Sequence, residues 1–176
     1  MRVLKWLIGL AAVLAVVFFG GAFLLPKEVT VERSIAINAP PADIFPHLNS
    51  LKAAGEWSPW LERDPEVQLT YSGPEAGVGA KLAWASDDPQ VGNGTQEITL
   101  SEPDKRIETA LDFGPMGQAL AHFDLEEIGG ATNVTWGLES DMGNNPTWRW
   151  MGLMMDDWVG GDYETGLANL KALVEG

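Results

Sequence analysis

The chain is 176 residues long, which suits one ordinary domain with an appendage, and 45% apolar residues place it with globular rather than disordered chains. Its 11 Lys and Arg face 25 Asp and Glu, a net charge of −14, and without Arg2 and Lys5, which precede the first apolar run, the remainder carries −16. Such a surface repels phosphate backbones and anionic headgroups, so nucleic acid is not an expected partner; with no cysteine and only His47 and His122, neither disulfides, thiolate chemistry nor a His/Cys metal site is expected.

From Trp6 to Leu25 the sequence WLIGLAAVLAVVFFGGAFLL has no charged or strongly polar residue. Twenty helical residues rise about 30 Å, the thickness of a bilayer's hydrocarbon core. Arg2 and Lys5 hold the N-terminus on the cytoplasmic side, and Pro26 ends the helix. Residues 1–26 are therefore expected to be a single-pass inner-membrane anchor, with residues 27–176 on the periplasmic, extracytoplasmic side. The rival is a cleaved signal peptide, whose apolar region usually spans only about 7–15 residues; here Gly20-Gly21-Ala22 is followed by further apolar residues.

Val29–Ile37 (VTVERSIAI) alternates apolar and polar residues and predicts a strand. Ala42–Leu48 predicts a short helix started by Pro40-Pro41 and distorted at Pro46, and Leu51–Trp57 a second helical stretch. Strands follow at Val67–Tyr71, Ala80–Ala85, Gly94–Ser101, Arg106–Phe113, Ala119–Ile128 and Thr132–Glu139, divided by Gly, Pro, Asp and Asn. Period-2 reading puts Leu82, Trp84, Ile98, Leu100, Ile107, Leu111, Phe113, Phe123, Leu125, Val134, Trp136 and Leu138 on one face, with mainly charged residues and threonines opposite, as in an antiparallel meander with one wet face. Asn145-Pro146 then caps a helix expected to run to about Val174, with Trp148, Met151, Met155, Trp158/Val159, Tyr163, Leu167, Leu170 and Val174 as its apolar stripe. Gly160-Gly161 interrupts it at a cost of about 1–2 kcal/mol relative to Ala, which calls for a bend or the close approach of something bulky. One long helix against one half-wet sheet is an α+β domain.

Several segments, in order, carry a family likeness: VERSIAINAP (Val31–Pro40) leading into a helix; Trp57-Ser58-Pro59-Trp60; Tyr71-Ser72-Gly73 and Gly77-Val78-Gly79-Ala80 before the strand of Trp84; Val91-Gly92-Asn93-Gly94; Gly129-Gly130-Ala131-Thr132 with Thr135-Trp136; and GGDYETGLANLK (Gly160–Lys171). From Val29 onward the chain resembles the START-related lipid-transfer (SRPBCC) superfamily and its bacterial polyketide cyclase/dehydrase-like branch. The resemblance implies a helix-grip fold, a curved antiparallel β-sheet wrapped around a long C-terminal α-helix with an apolar cavity between them. Members bind lipids, sterols, polyketides or hormones; some catalyse cyclisation or hydrolysis, and others have no known activity. Fold alone therefore implies a ligand and not a reaction.

Eight Trp is a high count, and seven lie outside the anchor. Trp84 and Trp136 point inward on strands, and Trp148, Trp150 and Trp158 lie on the long helix with Met151, Met154 and Met155. Aromatics and Met at such spacing form solid core in most proteins; bulk gathered in the first half of the helix instead suits an adaptable cavity wall. Trp57 and Trp60 either plug one end of the core or form the lip of an opening. The expected ligand-binding residues are Trp57, Trp60, Trp84, Gln96, Phe113, Trp136, Met151, Met155 and Trp158. Arg33 also turns inward, to meet an acidic ligand or to reach solvent from an edge strand; His122 falls on the wet face and reads as surface; His47 lies near the presumed mouth.

Ser58 has no His/Asp partner in sequence, and no paired-carboxylate, HExxH, P-loop or triad signature is present, so catalytic residues are not identified and no cofactor is expected. Three functions compete: a membrane-anchored carrier or sensor of an apolar small molecule, a cyclase- or hydrolase-like enzyme using the same cavity, and a protein-interaction module with a filled core. The Met/Trp wall and the missing acid–base set put the first ahead.

Overall fold

The computed structural model describes Arg2–Gly176; Met1, the first residue of the expected anchor, lies outside the described residues. Helix α1 (Arg2–Ala22) is followed by strand β1 (Glu28–Ile37). Helix α2 (Pro41–Leu48), a 3-10 turn (Ala53–Glu56) and helix α3 (Pro59–Arg63) come next. Then run β2 (Gln68–Ser72), β3 (Lys81–Ala85), β4 (Asn93–Glu102), β5 (Arg106–Asp112), β6 (Gln118–Ile128) and β7 (Ala131–Asp141), and the chain closes with α4 (Pro146–Gly152) and α5 (Met155–Glu175).

The seven strands form one antiparallel sheet in the order β1-β7-β6-β5-β4-β3-β2, a meander from β2 to β7 with β1 returned to its far edge. Gly129 and Gly130, at φ 63° and 88°, supply the paired positive φ of a two-residue hairpin turn between β6 and β7. Alternation then sorts the side chains. Val31 and Ile37 of β1, Ile107 of β5, Phe123 and Leu125 of β6, and Val134, Trp136 and Leu138 of β7 are buried on the inner face. The α+β helix-grip architecture is that expected from the sequence.

One strand breaks the period-2 count. In β4 the register against β5 slips between Ile98 and Leu100, so that Ile98 pairs with Thr109 but Leu100 with the outward Glu108. The extra residue, Thr99, reverses the parity. Leu100, expected inside, turns to the outer face, and Ser101 turns inward to donate to the Asn49 side chain at 2.7 Å.

The C-terminal helix also differs from expectation. It is two helices, broken at Leu153–Met154, while α5 passes unbroken through Gly160-Gly161. The break separates two attachments: α4 packs on α1, and α5 lies along β1. Gly152, just before the break, sits against β1 and the residue that follows β7, where an added Cβ would come 2.9 Å from Val29 and 3.3 Å from Met142. The bulky neighbour that the glycine pair calls for is Arg33, whose guanidinium occupies the space beside Gly160.

Tyr163, Leu167 and Leu170 line the inner stripe of α5 at 0–2% exposure. Each such side chain contributes about 1.5–3 kcal/mol on leaving water. They close on α2, whose Ile44, Phe45 and Leu48 are buried, and on the sheet beyond.

Candidate functional site

Arg33, on the inner face of β1, reaches beneath α5. It donates to Glu164 at 2.8 Å, to Asp156 at 2.9 Å and to the carbonyl of Glu32 at 2.8 Å. It therefore neither waits for an acidic ligand nor reaches freely into solvent; it clamps helix to strand. The Arg33 hydrogen bond holds the Asp156 carboxyl below the usual carboxylate range, and both acids raise the Arg33 guanidinium further still. Toward the other end, Lys171 donates to the Ala36 carbonyl at 2.7 Å. These contacts fix α5 over the β1 side of the sheet.

Beneath α5 the space is filled. Trp136 stacks on Tyr163 with ring centroids 3.8 Å apart, and Trp57 and Trp60 meet Trp136 edge-on at 5.3 and 5.5 Å. Phe123 completes the group at 4.9 Å from Trp136. The polar edges are satisfied: Trp57 Nε1 donates to the His47 carbonyl, and Trp60 Nε1 donates to Asp162, which also pairs with Arg63. Gly166 allows this packing, since a Cβ there would come 2.8 Å from Trp136 and 3.2 Å from Pro59. Of the expected pocket wall, Trp57, Trp60 and Trp136 therefore form a solid aromatic wedge. Burial holds the Tyr163 hydroxyl far above the usual phenol range, so it remains protonated and is no base.

Beyond the wedge, the inner surface of β2–β5 runs out from under α5, which lies chiefly along β1. Leu82, Leu111 and Phe113 are only partly buried there, packed against the margin of the core; Met155 and Val159 of α5 are partly buried against the same core. Trp84 lies across Gly94, where an added Cβ would fall on the indole and 2.7 Å from the Asp112 carbonyl. Its Nε1 donates to the Val91 carbonyl at 3.3 Å, and Phe113 meets it edge-on at 5.8 Å. Gln96 turns inward among these side chains and donates to the buried Thr109 hydroxyl at 3.1 Å. The structure thus brings Trp84, Gln96 and Phe113 to one half-covered apolar face with a single neutral polar pair, while Met155 is partly buried at the start of α5.

The remaining two expected residues lie elsewhere. With about 100° per helical residue, Trp158 is turned some 200° from Gly160 of the inward stripe, and it is 54% exposed. Met151 is partly buried on α4, on the far side of the helix break. The surface has a trough of about 650 Å³ on the outer face of the sheet, lined by Glu28, Glu97, Asp112, Leu120, Glu139 and Asp141 among others, and a notch of about 220 Å³ beside Met116, Met142 and Trp148. Among the described residues, neither of these two surface hollows is walled by any of the nine expected residues.

His122 also departs from expectation. It is on the outer face but only 9% exposed, its ring laid over Gly137, with Nε2 3.7 Å from Glu32 and 3.6 Å from Asp124. Sequence reading also missed Arg149 and Trp150. The Arg149 side chain is 4% exposed and donates to the carbonyls of Gly143 at 2.9 Å and Ala22 at 3.1 Å. Trp150 stacks on Phe18 and donates to its carbonyl at 3.0 Å. The one signal in sequence was the Trp-Arg-Trp run itself.

Residues 28–175 match the model of a family described as polyketide cyclase / dehydrase and lipid transport. No curated protein matches the sequence. Among solved structures, the chain is similar to a protein of Chromobacterium violaceum at 16% identity and TM-score 0.60, over 84% of this chain and 99% of that one. A protein of Thermobifida fusca matches at 17% identity and TM-score 0.63, over 82% and 92%. The di-domain ARO/CYC protein StfQ of the steffimycin biosynthetic pathway matches at 13% identity and TM-score 0.63, over 85% of this chain and 51% of that one. At these identities the likeness is one of fold.

Proposed function

The chain belongs to the polyketide cyclase / dehydrase and lipid transport family over residues 28–175, and from that premise we propose that it is a membrane-anchored domain that binds a hydrophobic small molecule. The observation that carries the reading is the inner surface of β2–β5, where Leu82, Trp84, Leu111 and Phe113 stay partly in water because α5 lies chiefly along β1. Partly buried apolar side chains around one neutral hydrogen-bonding pair, Gln96–Thr109, are the composition of a site that holds an apolar ligand and orients it by one polar contact. The ligand class is lipid-, sterol- or polyketide-like, and the role is that of carrier or sensor.

The residues before Lys27 serve as the anchor. Val3–Ala22 is long and apolar enough to cross a bilayer, and it is exposed along its length except at its C-terminal end, where Gly21 and Ala22 meet α4. Arg2 and Lys5 then leave the N-terminus inside and the domain in the periplasm. Alkaline phosphatase fused after Gly176 is expected to be active in a bacterial host, and an inactive fusion places the domain in the cytoplasm.

A second reading draws support from the aromatic wedge: Trp57, Trp136 and Tyr163 fill the space that a closed cavity would occupy, as in an interaction module with its own side chains inside. Mass spectrometry of small molecules carried by the gently purified full chain separates the two. A bound apolar compound, lost from Trp84→Ala, is expected for the binding domain. A chain that carries none and takes up neither palmitate nor 1,8-dihydroxyanthraquinone supports the interaction module.

A further inference from the structure

Helix α1 is joined to the domain by more than its linker. Arg149, buried on α4, donates to the carbonyl of Ala22 at 3.1 Å and of Leu25 at 3.4 Å, and its guanidinium lies 5.4 Å from the Phe23 ring centre. Carbonyls at a helix C-terminus have no partner within the helix, so a cation placed there satisfies them and meets the negative end of the dipole. One residue on, the Trp150 indole stacks on Phe18 and covers Gly21, where an added Cβ would meet it at 3.0 Å.

The depth of these contacts is informative. The apolar run continues to Leu25, and the first charged residues after it are Lys27 and Glu28. A side chain touching Phe18 and Gly21 therefore lies one to two helical turns short of the run's polar end. If the run fills the bilayer, Trp150 is at the level of the lipids. Its neighbours in sequence continue an apolar surface: Leu153 is 56% exposed, Met154 41% and Trp158 54%. Isolated exposed apolar residues are ordinary, but these share one elbow, the α4–α5 junction, beside the point where α1 leaves the domain.

We propose that the α4–α5 elbow, through Trp150, Leu153, Met154 and Trp158, lies in the headgroup–acyl boundary of the same bilayer that α1 enters, and so sets the domain on the membrane in one fixed orientation. This rests on the anchor reading above. Trp suits that zone because its ring is apolar and its N–H is polar. The attraction is apolar rather than electrostatic, since Asp156 and Asp157 begin α5 and the domain is acidic throughout.

The same end of the sheet carries the ligand face. Glu28 of β1 pairs with Asp141 of β7, Gln118 of β6 with Asp112 of β5, and Asn93 of β4 with Ala85 of β3, so Trp84 and Phe113 stand at the end from which α1 departs. Docking the elbow thus turns the half-covered apolar face toward the lipids. The ligand it takes is one that partitions into a bilayer and enters from there.

The chain has no cysteine, so a single Cys introduced for a nitroxide label is unique. The full chain, reconstituted in phosphatidylcholine vesicles, would carry the label at Val13→Cys, Leu153→Cys, Trp158→Cys or Ala168→Cys, and its collision rates with oxygen and with an aqueous nickel chelate would be measured. The expected order is bilayer interior for 13, the interface for both 153 and 158, and water for 168, with an oxygen-to-nickel ratio several-fold higher at 153 and 158 than at 168. If 13 is in the bilayer and either 153 or 158 matches 168, docking of the elbow is overturned while the anchor stands. If 13 itself is in water, the anchor reading fails and docking fails with it.

Discussion

A methyl group added to Gly160 and one added to Gly161 meet different surroundings. At Gly161 nothing lies within 4 Å, so Gly161→Ala gains the helix propensity of Ala, about 1 kcal/mol, and should raise the denaturation midpoint. At Gly160 the added carbon falls on the Arg33 guanidinium, which must leave Asp156 and Glu164; Gly160→Ala is expected to lower stability by about 1 kcal/mol despite the same propensity gain. The test is a double-mutant cycle, in which Gly160→Ala turns stabilising in an Arg33→Ala background. The same clamp responds to acid. Asp156 has its folded-state pKa depressed by Arg33, so its contribution is complete above the ordinary carboxylate pKa of about 4 and is lost as pH falls through the lower folded value. Denaturation midpoints measured from neutrality downward should fall less steeply for Arg33→Gln than for the native chain. The sequence states that Gly160-Gly161 needs a cause and that Arg33 turns inward, yet it cannot bring the two together. They are 127 positions apart, and only the register of α5 on β1 makes them neighbours.

At the scale of elements, the meander and its faces are legible because alternation is a local signal and glycine turns punctuate it. Where legibility fails, the cause is non-local. The Thr99 bulge shifts Leu100 outward through pairing with β5, and nothing in the alternation of EITLS (Glu97–Ser101) along one strand announces it. The break between α4 and α5 escapes the 3.6-residue pattern because the apolar residues of both helices keep helical spacing while serving different partners, α1 and β1. That division is testable. Arg149→Ala removes the side-chain donor to the Ala22 and Gly143 carbonyls and the cation at the end of α1, a local cost of about 1–3 kcal/mol. The expected result is faster tryptic cleavage after Lys27 with the domain's own melting little changed. Equal cleavage rates would mean that Arg149 does not hold α1.

For the molecule as a whole, the aromatic wealth of the chain divides between two tasks that composition cannot separate. Trp57, Trp60 and Trp136 fill the space under α5, whereas Trp84, with Phe113, stands on a face that α5 leaves half covered. Sequence pattern places Trp84 and Trp136 on the same face of one sheet, and only the line taken by α5 decides which of them is sealed. On the proposed function, the uncovered part binds an apolar molecule. Methyl NMR of the full chain in phosphatidylcholine nanodiscs tests it most directly, with palmitate and 1,8-dihydroxyanthraquinone as titrants and Leu82 and Leu111 as reporters against the fully buried Leu170 and Val134. Saturable shifts at both reporters with either titrant, abolished by Trp84→Ala and absent at the two core residues, are the predicted result. Reporters unmoved by both titrants, in a chain whose core methyls show it to be folded, would contradict the claim.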